Sequence, residues 1–573
     1  MKKLLLSILA ILLCLSAFVL IACNGDDSTT TVNKTVPAFE IINPVGLKTS
    51  VKFEIKETDP DGVGEIKAIE LYCDRVKVQT ANDTSIRTFS DLYAETTYTV
   101  KVTYVYDIQN GEGEKTGSVS LDIKTTNGFS SKTNIKTDWS GKTLNIACST
   151  WSSKPSAPWS VLELCVDYGK ESGFGTKIDA AVLERQEFIK ETYGVDLNWI
   201  VATRYHMSTA FEEAIASGNV HYDLALPRGL SVQSIVAGGY IYDLANRAYI
   251  DFSNSYYNKD SVEAYTAKGH TFFVDGDFST ITKETASALY FNKELLGGDE
   301  ATKELYQKVR EGKWTWSELT PLASAAYKDD EDGVIGDTDV HGLMCMSLSN
   351  LYYFFDAKQV GVDKTTGEWR ITLNDGRSGD IIDAIIQANT SSWCRTAGGG
   401  SYGARGWESI KDGILLFNVS TIQESYLVLN HDNVGVVPFP MLNEEQGRYC
   451  VPCSCSTIVL MCIPKNTQDR AMSEYFLDVL SWTGKEYTVK AYLDTKSEYI
   501  SDVNMEMLTD CIFPNIVYDV GAAVEWGSLI GDALYDSYKG NVNNFDNAYA
   551  EHEPKALETI AEWNTAWGAY TES

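Results

Sequence analysis

Hydrophobic and polar positions change rhythm along the chain, and each rhythm predicts a different kind of structure. Behind Lys2 and Lys3, residues 4–22 are an almost unbroken apolar run, long enough to span a bilayer as a helix. From about Val36 to Thr126 the pattern alternates: Val51, Phe53 and Ile55, then Val100, Val102 and Tyr104. Turn clusters such as Asp59-Pro60-Asp61-Gly62 and Asn110-Gly111 interrupt it. Alternation broken by such clusters predicts short strands, and several of them within about ninety residues predict a β-sandwich over 36–126. The polar stretch 127–142 then reads as a linker.

A helical and parallel-strand rhythm follows. Thr143 to Cys148 is a short apolar strand, and from Ile178 the positions Ala181, Val182, Phe188 and Ile189 share one helical face. Gly194 stands where a glycine cap would end that helix, and Val195, Leu197, Trp199 and Val201 alternate as the next strand. A helix over Thr209 to Ser217 closes at Gly218 and leads into the strand Tyr222 to Leu226. The order βαβαβ predicts an α/β unit with a parallel, doubly wound sheet. Further on, Ala288 to Phe291 is a strand running into a helical piece. Thr315 and Glu318 have capping-box spacing, flanked by Trp314 and Leu319 at staple positions. Three more apolar strands are expected at 413–417, 435–440 and 458–464, then an amphipathic helix over Asp469 to Trp482 with Tyr475, Phe476, Val479 and Leu480 on one side. Tyr487 to Asp532 carries no pattern that predicts an element.

At 573 residues the chain exceeds one core, since single cores stop growing at about 250–300 residues. With 48 Lys+Arg against 79 Asp+Glu the net charge is −31, a field that repels nucleic acid. Hydrophobic residues at 44% and charged ones at 22% are globular proportions. The 32 Tyr, 20 Phe and 13 Trp supply more flat apolar faces than a core needs.

Three stretches resemble known families. The end of the leader, Leu20-Ile21-Ala22-Cys23, resembles the lipobox of bacterial lipoproteins. That resemblance implies removal of 1–23 as a signal peptide, acylation of Cys23, a polar tether over 24–35, and a protein held at the outer face of the cell membrane; length alone leaves a membrane-spanning anchor open. Phe89-Ser-Asp-Leu92 followed by Thr97-Tyr98-Thr-Val100-Lys-Val102 is similar to the fibronectin type III pattern. There a leucine and a tyrosine meet at a corner, and Tyr98 would bury its ring and satisfy its hydroxyl on backbone. Residues 143–573 resemble the solute-binding proteins of ABC importers, particularly those for oligosaccharides. The resemblance rests on Ser287-Ala-Leu-Tyr-Phe-Asn-Lys293, on Thr315-Trp-Ser-Glu-Leu319, on Ala216-Ser-Gly218 before Tyr222-Asp-Leu224, and on the stretches 238–244 and 276–279. It implies a periplasmic-binding-protein-like fold, with one lobe over about 143–285 plus 455–500 and the other over about 290–445 plus the C-terminal helices. It also implies a monomer that closes about crossing segments near 280–290 and 440–460, holds a carbohydrate, and passes it to permease subunits without chemistry. A surface glycoside hydrolase with a sandwich spacer, or a receptor for peptides or other solutes, are the competing readings.

A two-lobed α/β protein binds outside the carboxyl ends of its strands, and sugars suit a crevice with aromatic faces and polar groups. The candidate ligand residues are therefore Trp151, Arg228, Asp275, Asp277, Trp314, Trp316, Tyr352, Tyr353, Trp393 and Trp407; each aromatic also has a core or staple reading. The run Asp329 to Asp339 resembles a calcium loop. Aligning Gly333 with the sixth loop position puts Lys328 first and leaves no glutamate at the twelfth, so Asp330, Asp332, Asp337 and Asp339 read as a solvated acidic turn, with calcium as the competing reading. Cys450, Cys453 and Cys455 lack the partners of a metal site, and with the other cysteines fit free thiols and no essential disulfide. Gly398 to Gly403 matches G-x-G-x-x-G only as a string, without a preceding strand. The six histidines form no H-E-x-x-H, and no G-x-S-x-G occurs. No cofactor is expected.

Overall fold

The structure is a computed structural model. It describes residues 34–571 apart from 150–175, 397–401, 454–456, 523–528 and the loop positions 48–49, 74, 82, 91, 94–95, 109–112, 126–127, 204–205, 333–334, 337 and 346–347. Chain contacts divide it into two compact units, one ending at Thr126 and one running from Asn127.

In the first unit the alternating runs become strands β1 (Ala38–Gly46), β2 (Val51–Thr58), β3 (Gly64–Cys73), β4 (Val76–Thr80), β5 (Thr88–Phe89), β6 (Thr97–Tyr106) and β7 (Lys115–Lys124). They form a three-stranded sheet in the order β1-β2-β5 and a four-stranded sheet in the order β4-β3-β6-β7. Val51, Phe53, Leu71, Phe89, Val100 and Val102 meet in one core, as the inward half of each alternating strand must. Leu92 and Tyr98 are both buried. The Tyr98 hydroxyl accepts the Tyr93 N–H at 2.9 Å, so its ring is buried without stranding a polar group.

The second unit begins with a segment expected to be a linker, yet 129–140 is anchored at two points while most of its residues stay exposed. Ser131 is wholly buried, Trp139 nearly so, and the Trp139 ring lies against Tyr249, Tyr475 and Phe476. Strand β8 (Thr143–Ser149) is followed by helix α1 (Thr176–Tyr193), β9 (Asp196–Thr203), α2 (Met207–Ser217) and β10 (Leu224–Leu226). The three strands are parallel in the order β10-β8-β9. Alternate residues feed opposite cores: Leu144, Ile146, Leu224 and Leu226 face one, Ala147 and Ala225 the other. Both faces of the sheet are thus covered, which is why its inner strands read as apolar runs. Strand β9 lies at the edge, and there Val201 is exposed. Residues 458–464 and 272–274 extend the sheet through antiparallel bridges Ala225 to Cys462, Arg228 to Val459 and Val274 to Met461.

The chain then crosses on β11 (Ser287–Asn292) into the second lobe. Helix α3 (Trp316–Ala326), β12 (His341–Cys345), β13 (Cys394–Thr396), α4 (Tyr402–Lys411), β14 (Leu415–Thr421) and β15 (Val434–Val437) follow. Their five-stranded sheet, in the order β13-β12-β14-β11-β15, is mixed, with β11 antiparallel to both neighbours. Helix α3 starts where the sequence places it, with Thr315 at its N-cap, but the capping box is not made. The Thr315 hydroxyl meets Ser317 Oγ at 3.0 Å, and Lys308 takes the Glu318 carboxylate at 2.6 Å. Helix α5 (Arg470–Thr483) is capped by Asp469, which accepts the Met472 N–H at 3.0 Å. It is buried on every side from Met472 to Thr483, a departure from the expected amphipathic helix, because 129–140 covers the face that would meet water. Most of the patternless stretch from Tyr487 to Asn515 is helical, with π-helical turns at Gly484–Val489 and Met507–Ile512. At the first of these a Cβ on Gly484 would stand 2.1 Å from the Asp277 carbonyl oxygen, so only glycine lets the helix pass there. The C-terminal helix α6 (Phe545–Gly568), expected with the second lobe, touches both. Trp567 packs on Trp369 and on Phe272, and its Nε1 donates to Gln233 at 3.0 Å.

Candidate functional site

Strand register places the carboxyl ends of both sheets at one location. In the first lobe the bridges pair Ala225 with Cys462 and Arg228 with Val459, so β10 ends where 458–464 enters from the second crossing, and 272–274 ends there too. In the second lobe Ser287 pairs with Thr421, so the start of the crossing strand lies beside the carboxyl end of β14, to which β12 runs parallel. Ligands of open α/β sheets bind at such ends.

A buried ion pair sits at the crossing. Glu284, three residues before β11, meets Lys496 Nζ at 3.2 Å, both side chains being nearly without solvent exposure. Lys496 also lies 3.3 Å from Ser425 Oγ, just beyond β14, and 4.7 Å from the Tyr492 ring centre. The ammonium therefore ties together the helix that continues from α5, the crossing segment and the second lobe.

Between the lobes lies a cavity of about 560 Å³. Phe252, Lys259, Val262, Glu263 and Thr266 line it from the first lobe, Lys358, Val360, Val362, Lys364 and Trp369 from the second, and Tyr518 and Val520 from the C-terminal segment. A volume of this size suits a small ligand with an apolar face. The hairpin of Val360–Val362 with Trp369–Ile371 supplies most of the second-lobe wall. Trp369 shows only an edge, since Trp563 and Trp567 pack on its ring. Its indole Nε1 is buried and makes no hydrogen bond. Lys259, Lys358 and Lys364 face a single lining carboxylate, Glu263, so this wall carries positive charge in a chain of net charge −31.

Behind Tyr518 is Asp275, buried, accepting the phenol hydrogen on Oδ2 while Oδ1 has no hydrogen-bond partner. Burial pushes its carboxyl up to about 6, against the pull of the Tyr518 hydroxyl. A carboxylate whose folded pKa lies above its unfolded one contributes stability that is present at low pH and lost as pH rises through the folded value. The rise from 3.8 to about 6 corresponds to on the order of 3 kcal/mol. Asp275→Asn is accordingly expected to raise unfolding stability in urea at pH 7.5 by about 1–3 kcal/mol, a gain that fades by about pH 4.5. An equal effect at both pH values would contradict this assignment.

The ten residues expected to hold ligand separate clearly. Trp151, like the lipobox Cys23, lies outside the described residues. Trp314, Trp316, Tyr352, Trp393 and Trp407 are core residues. Trp316 packs on Phe355, Trp393 and Phe439 with its Nε1 on Gln387, Trp407 meets Tyr290 edge-on, and the Tyr352 hydroxyl donates to the Leu373 carbonyl at 3.0 Å. Tyr353 is half-buried and its hydroxyl accepts from Gln359. Arg228 is buried at the end of β10, and Asp277 pairs with Lys283 at 2.7 Å. Only Asp275 adjoins the cavity wall, through Tyr518. The sequence carried one signal for what was missed: Gly367-Glu-Trp-Arg-Ile371 is a turn followed by alternation, the pattern of a hairpin arm.

In the acidic turn, Asp329, Asp330 and Asp332 bring carboxylate oxygens together at the surface. Asp337 lies outside the described residues. Asp339 points inward and accepts the Asp330 and Gly336 N–H groups at 3.0 and 2.9 Å, so it does not join them. The described cysteines are all free thiols. No described helix is long and apolar enough to cross a membrane.

No protein-family model matches the chain, and no curated protein matches it in sequence. Among solved structures it is similar to the GacH receptor of Streptomyces glaucescens, determined unliganded and with acarbose: 13% identity, 75% of this chain and 99% of that one covered, TM-score 0.41. It is similar to an extracellular solute-binding protein from Staphylococcus aureus in complex with maltose: 12% identity, 73% and 98% covered, TM-score 0.46. It is also similar to an ABC substrate-binding protein from Listeria monocytogenes in complex with cycloalternan: 12% identity, 73% and 99% covered, TM-score 0.42.

Proposed function

We propose that the chain is an extracellular receptor that takes a carbohydrate, in the oligosaccharide size range, between its two lobes and presents it to an ABC permease. The observation that carries this reading is the cavity of about 560 Å³ walled by residues of both lobes. A guest there contacts both walls at once, so its binding energy favours whichever lobe arrangement brings the walls together. That differential contact is what a capture-and-deliver protein needs. Phe252 offers aromatic surface to a sugar ring, and the buried rings of Trp369 and Tyr518 back the wall. Glycoside hydrolysis uses two carboxyl groups across the scissile bond, and among the described residues Glu263 is the one carboxylate in the lining; this favours a receptor over a hydrolase.

In this reading Cys23 is acylated, 24–35 is a tether and the sandwich is a fibronectin type III-like spacer that holds a monomeric receptor away from the membrane. The Tyr98 hydroxyl on the Tyr93 N–H supports the spacer's kinship. The test is tryptophan fluorescence titrated with neutral and uronate-bearing oligosaccharides, with chromatography of the recovered sugar. A saturable shift with intact sugar is expected. The three lysines favour the uronate-bearing members, and Lys358→Ala is expected to weaken those by about tenfold or more while sparing neutral ones. Shortened sugar would move the assignment to a hydrolase, and silence across the panel would move the ligand to another class of solute.

A further inference from the structure

The cavity between the lobes is edged by two hairpin tips that touch each other. In the first lobe Thr266 pairs with Thr271 and Ala267 with His270, which leaves Lys268 and Gly269 as a two-residue turn. Their φ angles are +53° and +80°, so both are left-handed, as in a type I′ turn. Asparagine or glycine fills the first of those positions at least cost, and a lysine there carries backbone strain. Strain of this kind persists where the residue has something to do. The Lys268 N–H donates to the Gly367 carbonyl at 2.6 Å, and its Nζ reaches Glu368 Oε1 at 2.7 Å. Both partners belong to the second lobe. A Cβ on Gly568 would stand 3.3 Å from Lys268 Cε, so the lysine stem lies against the end of α6 on its way across.

The opposing turn is preformed. Asp363 accepts the Thr365 and Thr366 N–H groups at 2.8 and 2.9 Å, and the Gly367 N–H bonds to the Asp363 carbonyl at 2.8 Å. Gly367 is itself left-handed, with φ +69°. Its carbonyl and the neighbouring Glu368 are thereby presented together to the incoming lysine. Thr266 and Trp369, close to the two tips in sequence, line the cavity. Two more links cross between the lobes beside them. Glu263 and Lys364, both in the lining, stand 4.0 Å apart, and Arg448 joins Asp260 of the first lobe at 2.8 Å to Asp356 of the second at 3.6 Å.

We propose that the Lys268 turn and the Gly367-Glu368 turn form an interlobe latch over the cavity, released by salt or by loss of either charge. The inference rests on the lobes parting and closing as a receptor's do, and not on which ligand they hold. The Lys268 and Glu368 side chains are 28% and 47% exposed, so their attraction is screened by added salt and is worth a modest shift in population. A latch of that strength holds the lobes together without fixing them.

The test is single-molecule energy transfer in the full chain without sugar, with dyes on azide-bearing residues at Ile215 in the first lobe and Lys303 in the second, both exposed. Hydrogen exchange of the peptides around 268 and 367 reports the same event locally. Lys268→Asn and Glu368→Gln are each expected to move the ratio of closed to open molecules about two- to fivefold toward open at low salt, with exchange at 268 faster by a similar factor. Lys268→Glu combined with Glu368→Lys is expected to restore most of the closed population, and about 1 M NaCl to bring the wild type to the level of the single variants. Asparagine suits the turn better than lysine, so a residue that served only the turn would show slower exchange in Lys268→Asn. That result overturns the latch, as do energy transfer and exchange unchanged in both single variants, or a charge exchange that restores nothing. Because no sugar is present, failure here is separate from failure of the carbohydrate reading.

Discussion

Lys496→Ala is expected to cost about 3–5 kcal/mol of unfolding stability, because it leaves the Glu284 carboxylate buried without its cation. The pair lies 3.2 Å apart with side chains 5% and 8% exposed, so water cannot take over the lost role. The helix bearing Lys496 continues from the first lobe, Ser425 belongs to the second, and Glu284 opens the crossing between them. Loss of the ammonium therefore acts where the lobes are joined. The double variant Glu284→Gln with Lys496→Met is expected to recover most of the deficit, since a neutral pair needs no buried counter-charge. Urea unfolding of the wild type, Glu284→Gln, Lys496→Met and the double gives the coupling directly. A Lys496→Ala loss below about 1 kcal/mol would mean that solvent reaches the pair and that it does not hold the crossing.

The order of elements was legible because it depends on local rhythm. Alternation marked the sandwich strands, and glycines at 194 and 218, both with positive φ, marked where two helices end. Apolar runs marked inner strands covered on both faces, such as 458–464, whose residues divide between two cores. What was illegible depends on partners far away in sequence. Trp314, Trp316 and Trp407 can each be read from the sequence as sugar platform or as core, and the choice is made only by Phe417, Phe439 and Tyr290, which cover them. The cavity inverts this. It is walled by pieces near 252–266, 358–369 and 518–520, and the hairpin arm starting at Gly367 is the one local pattern among them. Tyr518 sits in a stretch without period, and no pattern links it to Asp275, 243 residues away. Fold follows from spacing along the chain, whereas the site comes from three segments that meet only once the two sheets and their crossings are in place.

The same limit explains the buried face of α5, and it yields the second large expectation. Asp478 is wholly buried in that helix and accepts four hydrogen bonds: from the Ser131 N–H and hydroxyl at 2.7 Å each, from the Tyr256 hydroxyl at 2.7 Å and from the Tyr257 hydroxyl at 2.9 Å. Burial pushes its carboxyl up while these donors pull it down, with burial the stronger. Trp482 Nε1 completes the set by donating to Ser131 Oγ at 2.9 Å. A polar stretch that reads as a linker is thus held by one side chain 347 residues away. Asp478→Ala strands several donors in a dry interior, each costing about 1–3 kcal/mol, so a net loss of about 3–5 kcal/mol is expected after partial relaxation. The loss has a local signature. Lys132 and Lys136 follow the anchored serine with half or less of their side chains exposed, and trypsin is expected to cut there far faster in the variant than in the wild type, before global unfolding. Uniform destabilisation without early cleavage at those lysines would show that 129–140 is held by the packing of Trp139 against Tyr249 and Tyr475, and that the carboxylate is not its anchor.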